Sequence, residues 1–160
     1  MKRVLGMMWL VLLLVGTVEG RTVRPADSQL SGEIQRQLEA ILELWRSGDY
    51  GALYDRTSVT GRESREGFAR KLAGAARRPA CCWEQLQEVR VSVRSADAAT
   101  VRGRFGLEGG PAATEFSTRS LRLVWEDGVW KVAQADLLAL AGEKRKRYRY
   151  LPATAGGAAR

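Results

Sequence analysis

The sequence has no histidine and only two cysteines. Those two shortages remove much chemistry before any motif is sought. Without imidazole there is no Ser-His-Asp triad, no Cys-His pair and no His-ligated zinc. A four-thiolate zinc site needs four cysteines, so no metal is expected. Proline is scarce too, with four in 160 residues, and 45% of the chain is apolar against 28% charged. That balance excludes a disordered or collagen-like chain and suits one globular domain. Gly109-Gly110-Pro111 reads as a turn, with no lysine behind it to make a phosphate-cradling loop. No internal repeat is present, and no cofactor is expected.

Long apolar runs are also missing. The longest uncharged stretch, residues 4–18, has fifteen residues, short of the roughly 20 that span a bilayer comfortably. It follows Met1-Lys2-Arg3 and precedes Val18-Glu19-Gly20. A positive start, an apolar centre and a modest cleavage site form a secretory signal peptide. Residues 1–20 are therefore expected to be removed on export to a periplasmic or extracellular, oxidising space. If retained, residues 4–18 would anchor the chain to a membrane.

The net charge of +8 is unevenly spread. Residues 21–142 carry 18 Lys/Arg and 16 Asp/Glu, a balance of +2, whereas residues 143–160 carry six Lys/Arg and one Glu, a balance of +5. The high isoelectric point thus comes from the tail, and nucleic acid is not an expected partner. Residues 141–160 read as a basic, disordered tail. Lys144, Arg145, Lys146, Arg147 and Arg149, with Tyr148 and Tyr150 among them, form a site for an anionic membrane or envelope polymer. A solvated tail that only aids solubility is the competing reading.

Between these ends the apolar pattern changes once. Leu30, Ile34, Leu38, Ile41, Leu42 and Trp45 keep a helical period, with Ser28 or Ser31 as cap and Gly48 as terminator. Asp49 caps a short helix over 50–55, and Ser64 caps a third from 65 to about 77. From residue 89 the period is two. Strands are predicted over 89–93, 99–107, about 115–125 and 129–134, the last two joined by Asp127-Gly128. That hairpin sets Trp125 opposite Trp130, Leu123 opposite Val132 and Leu121 opposite Gln134, with the large apolar residues on one face. The expected fold is α+β: three N-terminal helices packed on a curved four-strand antiparallel sheet, over residues 28–140.

Two segments carry a family resemblance. Leu44-Trp45-Arg46-Ser47-Gly48-Asp49-Tyr50 is similar to the helix, Gly-Asp, short-helix opening of the nuclear transport factor 2-like superfamily. Trp125-Glu126-Asp127-Gly128-Val129-Trp130-Lys131-Val132 is similar to its closing hairpin. The superfamily includes SnoaL-like and ketosteroid-isomerase-like proteins. The resemblance implies a cone whose helices and sheet enclose a pocket, and an outer sheet face through which many relatives dimerise. Its enzymes use a pocket Asp, often with a His or Tyr partner; without histidine only an Asp–Tyr arrangement remains.

The residues to place are therefore these. Asp49, Asp55 and Asp136 are the carboxylates near apolar sequence, and Asp136 is the candidate at the pocket mouth. Trp45, Tyr50, Tyr54, Trp83, Phe105 and Gln134 are candidates to line a site for an apolar small molecule, with plain core packing as the competing reading. Gln134 stands out because the hairpin register turns an amide inward. Arg90, Arg94, Arg102, Arg104, Arg122 and Lys131 share the outward parity, where they would repel a symmetric copy in a homodimer. Cys81 and Cys82 read first as two thiols, since adjacent cysteines seldom meet ordinary disulfide geometry, with a strained ring between them or a disulfide to another chain as the alternatives in an oxidising space. The leading function is an exported, non-catalytic small-ligand-binding or protein-interaction domain of the cell envelope. An isomerase- or hydrolase-like enzyme with a pocket carboxylate, and a membrane-anchored scaffold, are the alternatives. Export has a direct consequence: the mature chain should begin at or within a few residues of Arg21. N-terminal peptide mass spectrometry of the native protein checks this, and a population of intact Met1 peptides alone would refute it.

Overall fold

The computed structural model describes residues 25–59, 63–109 and 113–143. The first apolar stripe lies along one helix, α1 (Pro25–Ser47). Ile34, Leu38, Ile41, Leu42 and Trp45 are buried on its inner side. The helix starts at Pro25, so Ser28 and Ser31 lie inside it and do not cap it. Proline suits a first helical turn because its fixed φ is already helical and its missing N–H is not needed there. Gly48 ends the helix as expected. It takes φ +81°, its N–H donates to the Trp45 carbonyl at 3.1 Å, and the Asp49 N–H donates to Leu44 at 3.0 Å. This paired closure requires a left-handed residue that glycine adopts without strain.

Asp49 then caps α2 (Tyr50–Asp55), accepting from the Ala52 N–H. A two-residue strand β1 (Thr57–Ser58) follows. Ser64 caps α3 (Arg65–Ala73), accepting from the Gly67 N–H. This helix stops at Gly74, short of the predicted end near residue 77. A second short strand, β2 (Arg78–Pro79), and a 3-10 turn (Cys82–Glu84) lead into β3 (Leu86–Ser95). The remaining elements are β4 (Ala98–Glu108), β5 (Glu115–Glu126), β6 (Val129–Ala133) and α4 (Gln134–Leu140). The class is α+β as expected. The described residues form four helices and six strands rather than three and four.

The sheet is mixed and strongly curled into a half-barrel. β1 runs parallel to β6, and β6, β5 and β4 follow antiparallel. The far edge of β4 is shared, its first part with β3 and its last residues with β2. The two short strands escaped the sequence reading because two residues show no period. Their pairing comes from neighbours distant in sequence. β6 is also a residue shorter than predicted: Gln134 opens α4, so Leu121 pairs with Val101 of β4 but has no partner on β6.

The predicted hairpin register holds. Trp125 pairs with Trp130 and Leu123 with Val132 around Asp127-Gly128, both with positive φ. Such a pair of left-handed residues matches the twist of a two-residue hairpin. Burial is unequal, however. Trp130 is 1% exposed and Trp125 is 39% exposed. Their rings meet edge to face at 5.5 Å, so Trp125 covers Trp130 from the solvent side instead of sharing its burial. Ala99, Val101, Phe105, Leu107, Leu121, Leu123 and Val132 line the inner sheet face, against α1 and against Phe68 and Leu72 of α3. Among the described residues no helix is long and apolar enough to cross a membrane.

This asymmetry predicts unequal costs. Trp130→Ala should destabilise by about 3–5 kcal/mol and Trp125→Ala by about 1 kcal/mol. Urea denaturation of the two variants checks the order, and equal losses would contradict the burial pattern.

Candidate functional site

The three candidate carboxylates each have a structural task. Asp49 is the cap of α2. Asp55 pairs with Arg65 of α3. Asp136 sits in the first turn of α4, where β5 has lost its neighbour because β6 ends at Ala133. One of its oxygens accepts the Arg122 backbone N–H at 3.0 Å and the Arg122 Nε–H at 2.9 Å; the other accepts from Nη2 at 2.9 Å. The carboxylate thus closes the bare strand edge and binds the side chain of the same residue. Hydrogen bonding to Asp136 raises the Arg122 pKa further above its already high value.

The ligand-lining candidates separate into four settings. Trp45 and Phe105 are sealed in the core at 1% exposure each. Tyr50 is half-buried against that core. Tyr54 is held to α3: its hydroxyl donates to the Glu63 carbonyl at 3.1 Å, its ring meets Phe68 edge to face, and Arg65 lies over it. Tyr54 also borders an open surface groove of about 630 Å³ with Arg56, Val59, Asp127 and Lys131. Trp83 is the opposite case, standing 74% exposed. Gln134 is buried, but as the first residue of α4 rather than on a strand. The Nε1 atoms of Trp45 and Trp130 and the Nε2 of Gln134 are buried with no acceptor among the described residues.

The setting of Trp83 was not legible as such. Cys81 and Cys82 are joined to each other rather than free. Cys82 takes φ +59°, which turns two successive side chains toward one another and makes the bond between neighbours possible. The 3-10 turn that follows is held to the sheet. The Glu84 carboxylate accepts from the Thr114 hydroxyl at 2.9 Å, and the Gln85 carbonyl accepts from the Gly106 N–H at 3.3 Å. Gly106 must be glycine, since a Cβ there would lie 2.2 Å from the Glu84 oxygen. Gly106 is paired with Phe116, which is 38% exposed and carries the Arg104 guanidinium 4.1 Å from its ring centre. One end of the sheet therefore gathers an exposed tryptophan, an exposed phenylalanine and a stacked arginine.

The outward cations fall into two sets. Arg104 lies 3.6 Å from Glu88, Arg122 holds Asp136, and Lys131 pairs with Asp127 and Glu126. The hydrogen bond that Lys131 donates to the Asp127 carboxylate raises the Lys131 pKa. Arg90, Arg94 and Arg102 have no ion pair among the described residues. Arg56 lies elsewhere, part-buried between Gln37 and the Trp130 carbonyl, and burial lowers its pKa. The tail candidates Lys144, Arg145, Lys146, Arg147 and Arg149 lie outside the described residues. No group of three or more Cys, Asp or Glu among the described residues is placed to hold a metal ion.

If Asp136 is a strand-edge clamp, its removal should be felt in stability. Asp136→Ala should cost about 1–2 kcal/mol, because the Arg122 N–H loses its acceptor at a partly solvated position. Amide hydrogen exchange at Arg122 should quicken in the same variant. Unchanged stability with unchanged exchange would rule the clamp out. No protein-family model matches the chain, and no curated protein is significantly similar to it.

Proposed function

We propose that the protein is an exported, non-catalytic interaction domain of the cell envelope, built on a nuclear transport factor 2-like cone. The observation that carries this reading is Trp83, 74% exposed at the sheet end that also bears Phe116 and Arg104. Tryptophan and arginine dominate the binding energy of protein interfaces, since each offers large rigid area and few lost rotamers per contact. An exposed tryptophan grouped with an exposed phenylalanine makes the kind of apolar patch that marks an interaction site. The turn beneath it is tied to the strands by the Glu84–Thr114 and Gln85–Gly106 bonds, so its position is held before binding. A catalytic reading finds less support. Asp49, Asp55 and Asp136 are occupied as cap, ion pair and edge clamp.

A second reading has its own observation. The unpartnered N–H groups of Trp45, Trp130 and Gln134 are buried donors in apolar surroundings. Such groups call for an acceptor, from an ordered water or from an apolar ligand with a carbonyl or carboxylate.

Native mass spectrometry of the protein purified from its own envelope tests both. Trp83→Ala should leave stability within about 0.5 kcal/mol of wild type, as for other exposed positions, and should abolish a co-purifying protein partner. Retention of the partner in that variant overturns the interaction reading. A bound small molecule in place of a protein would move the assignment to the buried donors.

A further inference from the structure

Arg90 and Arg102 are directly opposite each other in the β3–β4 pairing. Like charges in that relation repel. Arginine cannot escape by losing its proton, and neither residue has an acidic partner among the described residues. Arg94 adds a third unpaired cation further along β3 on the same face. Glu88 sits at the irregularity between Gln87 and Arg90 with φ +51°, and its carboxylate lies 3.6 Å from Arg104. The pairing irregularity opens the surface there. Glu88, Val89, Arg90, Arg102, Gly103 and Thr118 line a groove of about 690 Å³.

We infer that this groove is a binding site for a phosphate group, with Arg90, Arg102 and the Thr118 hydroxyl as its donors. Two guanidinium forks presented across one strand pair match the several oxygens of a phosphate, which neutralises both. Thr118 comes from β5, beside Arg104 in the register, and supplies an uncharged donor at the groove wall. Glu88 also lines the groove, and its ion pair among the described residues is with Arg104, not with Arg90 or Arg102. The volume leaves room for more than the phosphate itself, so a phosphate monoester or diester fits the same chemistry. The site adjoins the proposed partner surface through Glu88 and Arg104, but its donors Arg90, Arg102 and Thr118 are not part of that surface.

The test uses the full mature chain with inorganic pyrophosphate as the probe. Two-dimensional NMR should show the amides of Arg90, Arg102, Gly103 and Thr118 moving on titration. The double variant Arg90→Gln/Arg102→Gln should bind about tenfold more weakly or worse, as two charge-assisted contacts are lost. A purely structural pair of arginines would not give the third readout. In chloride the double variant should melt no lower than wild type, because the mutual repulsion is gone, while its stabilisation by pyrophosphate should disappear. Trp83→Ala should leave pyrophosphate binding unchanged, so that failure of the interaction reading and failure of this site are distinguishable. Two arms separate the sources of the phosphate. Phosphatidylglycerol vesicles that displace pyrophosphate, where phosphatidylcholine vesicles do not, identify a lipid headgroup; pyrophosphate binding without such displacement identifies a soluble phosphate compound. Amide shifts confined to other residues, equal affinity in the double variant, or an equal response to chloride at matched ionic strength would each overturn the site.

Discussion

The inside of the curled sheet has to be filled, and α1 is what fills it. A sheet bent into a half-barrel presents a concave apolar face that no strand can cover for itself. Ile34, Leu38, Ile41, Leu42 and Trp45 form a stripe long enough to reach from β2 and β3 across to β6. Much else follows from that placement. The Gly48–Asp49 closure turns the chain sharply at the end of α1, and Asp49 restarts it as α2. That brings β1 alongside β6, and the Arg56 carbonyl accepts the Val132 N–H at 3.0 Å. Removing the stripe would leave Trp130, Phe105 and Leu123 facing water together.

Charge is arranged around the same core with a clear economy. Acids cluster where the backbone or a nearby cation needs them: Asp49 at a helix start, Asp136 at a strand edge, Glu88 beside Arg104, Asp127 and Glu126 at the hairpin tip. Three of the six outward cations are thereby neutralised, and Arg90, Arg94 and Arg102 have no ion pair among the described residues. A nearly neutral body can in this way hold a strongly positive local field on one sheet face. The exposed Trp83 and the unpaired arginines are thus two different surface chemistries, one apolar and one ionic. Both lie away from the core residues that stabilise the fold.

Reading the sequence recovered the parts whose causes are local. The stripe on α1, the caps Asp49 and Ser64, the left-handed Gly48 and the Asp127-Gly128 hairpin each depend on a few adjacent residues, and each was legible. The sites were less so. Trp45, Phe105 and Gln134 were read correctly as inward-facing, but parity alone cannot separate a pocket wall from a packed core. Asp136 was noticed as a carboxylate after the last strand. Its task depends on β6 ending at Ala133 and on Arg122, fourteen residues away.

What the sequence determined by itself is therefore the class of the fold, the order of its main elements, the register of its closing hairpin and the outward parity of its arginines. Those rest on periodicity and turn chemistry, which act over two to four residues. The tertiary structure decided the rest. It paired β1 with β6 and β2 with β4, ended β6 early so that α4 could clamp the bare edge of β5, and joined Cys81 to Cys82. It also chose which arginines found acids and which faced one another across β3 and β4. Pairing between strands and between charges is a relation of distance in space, and residues separated by tens of positions carry no local record of it.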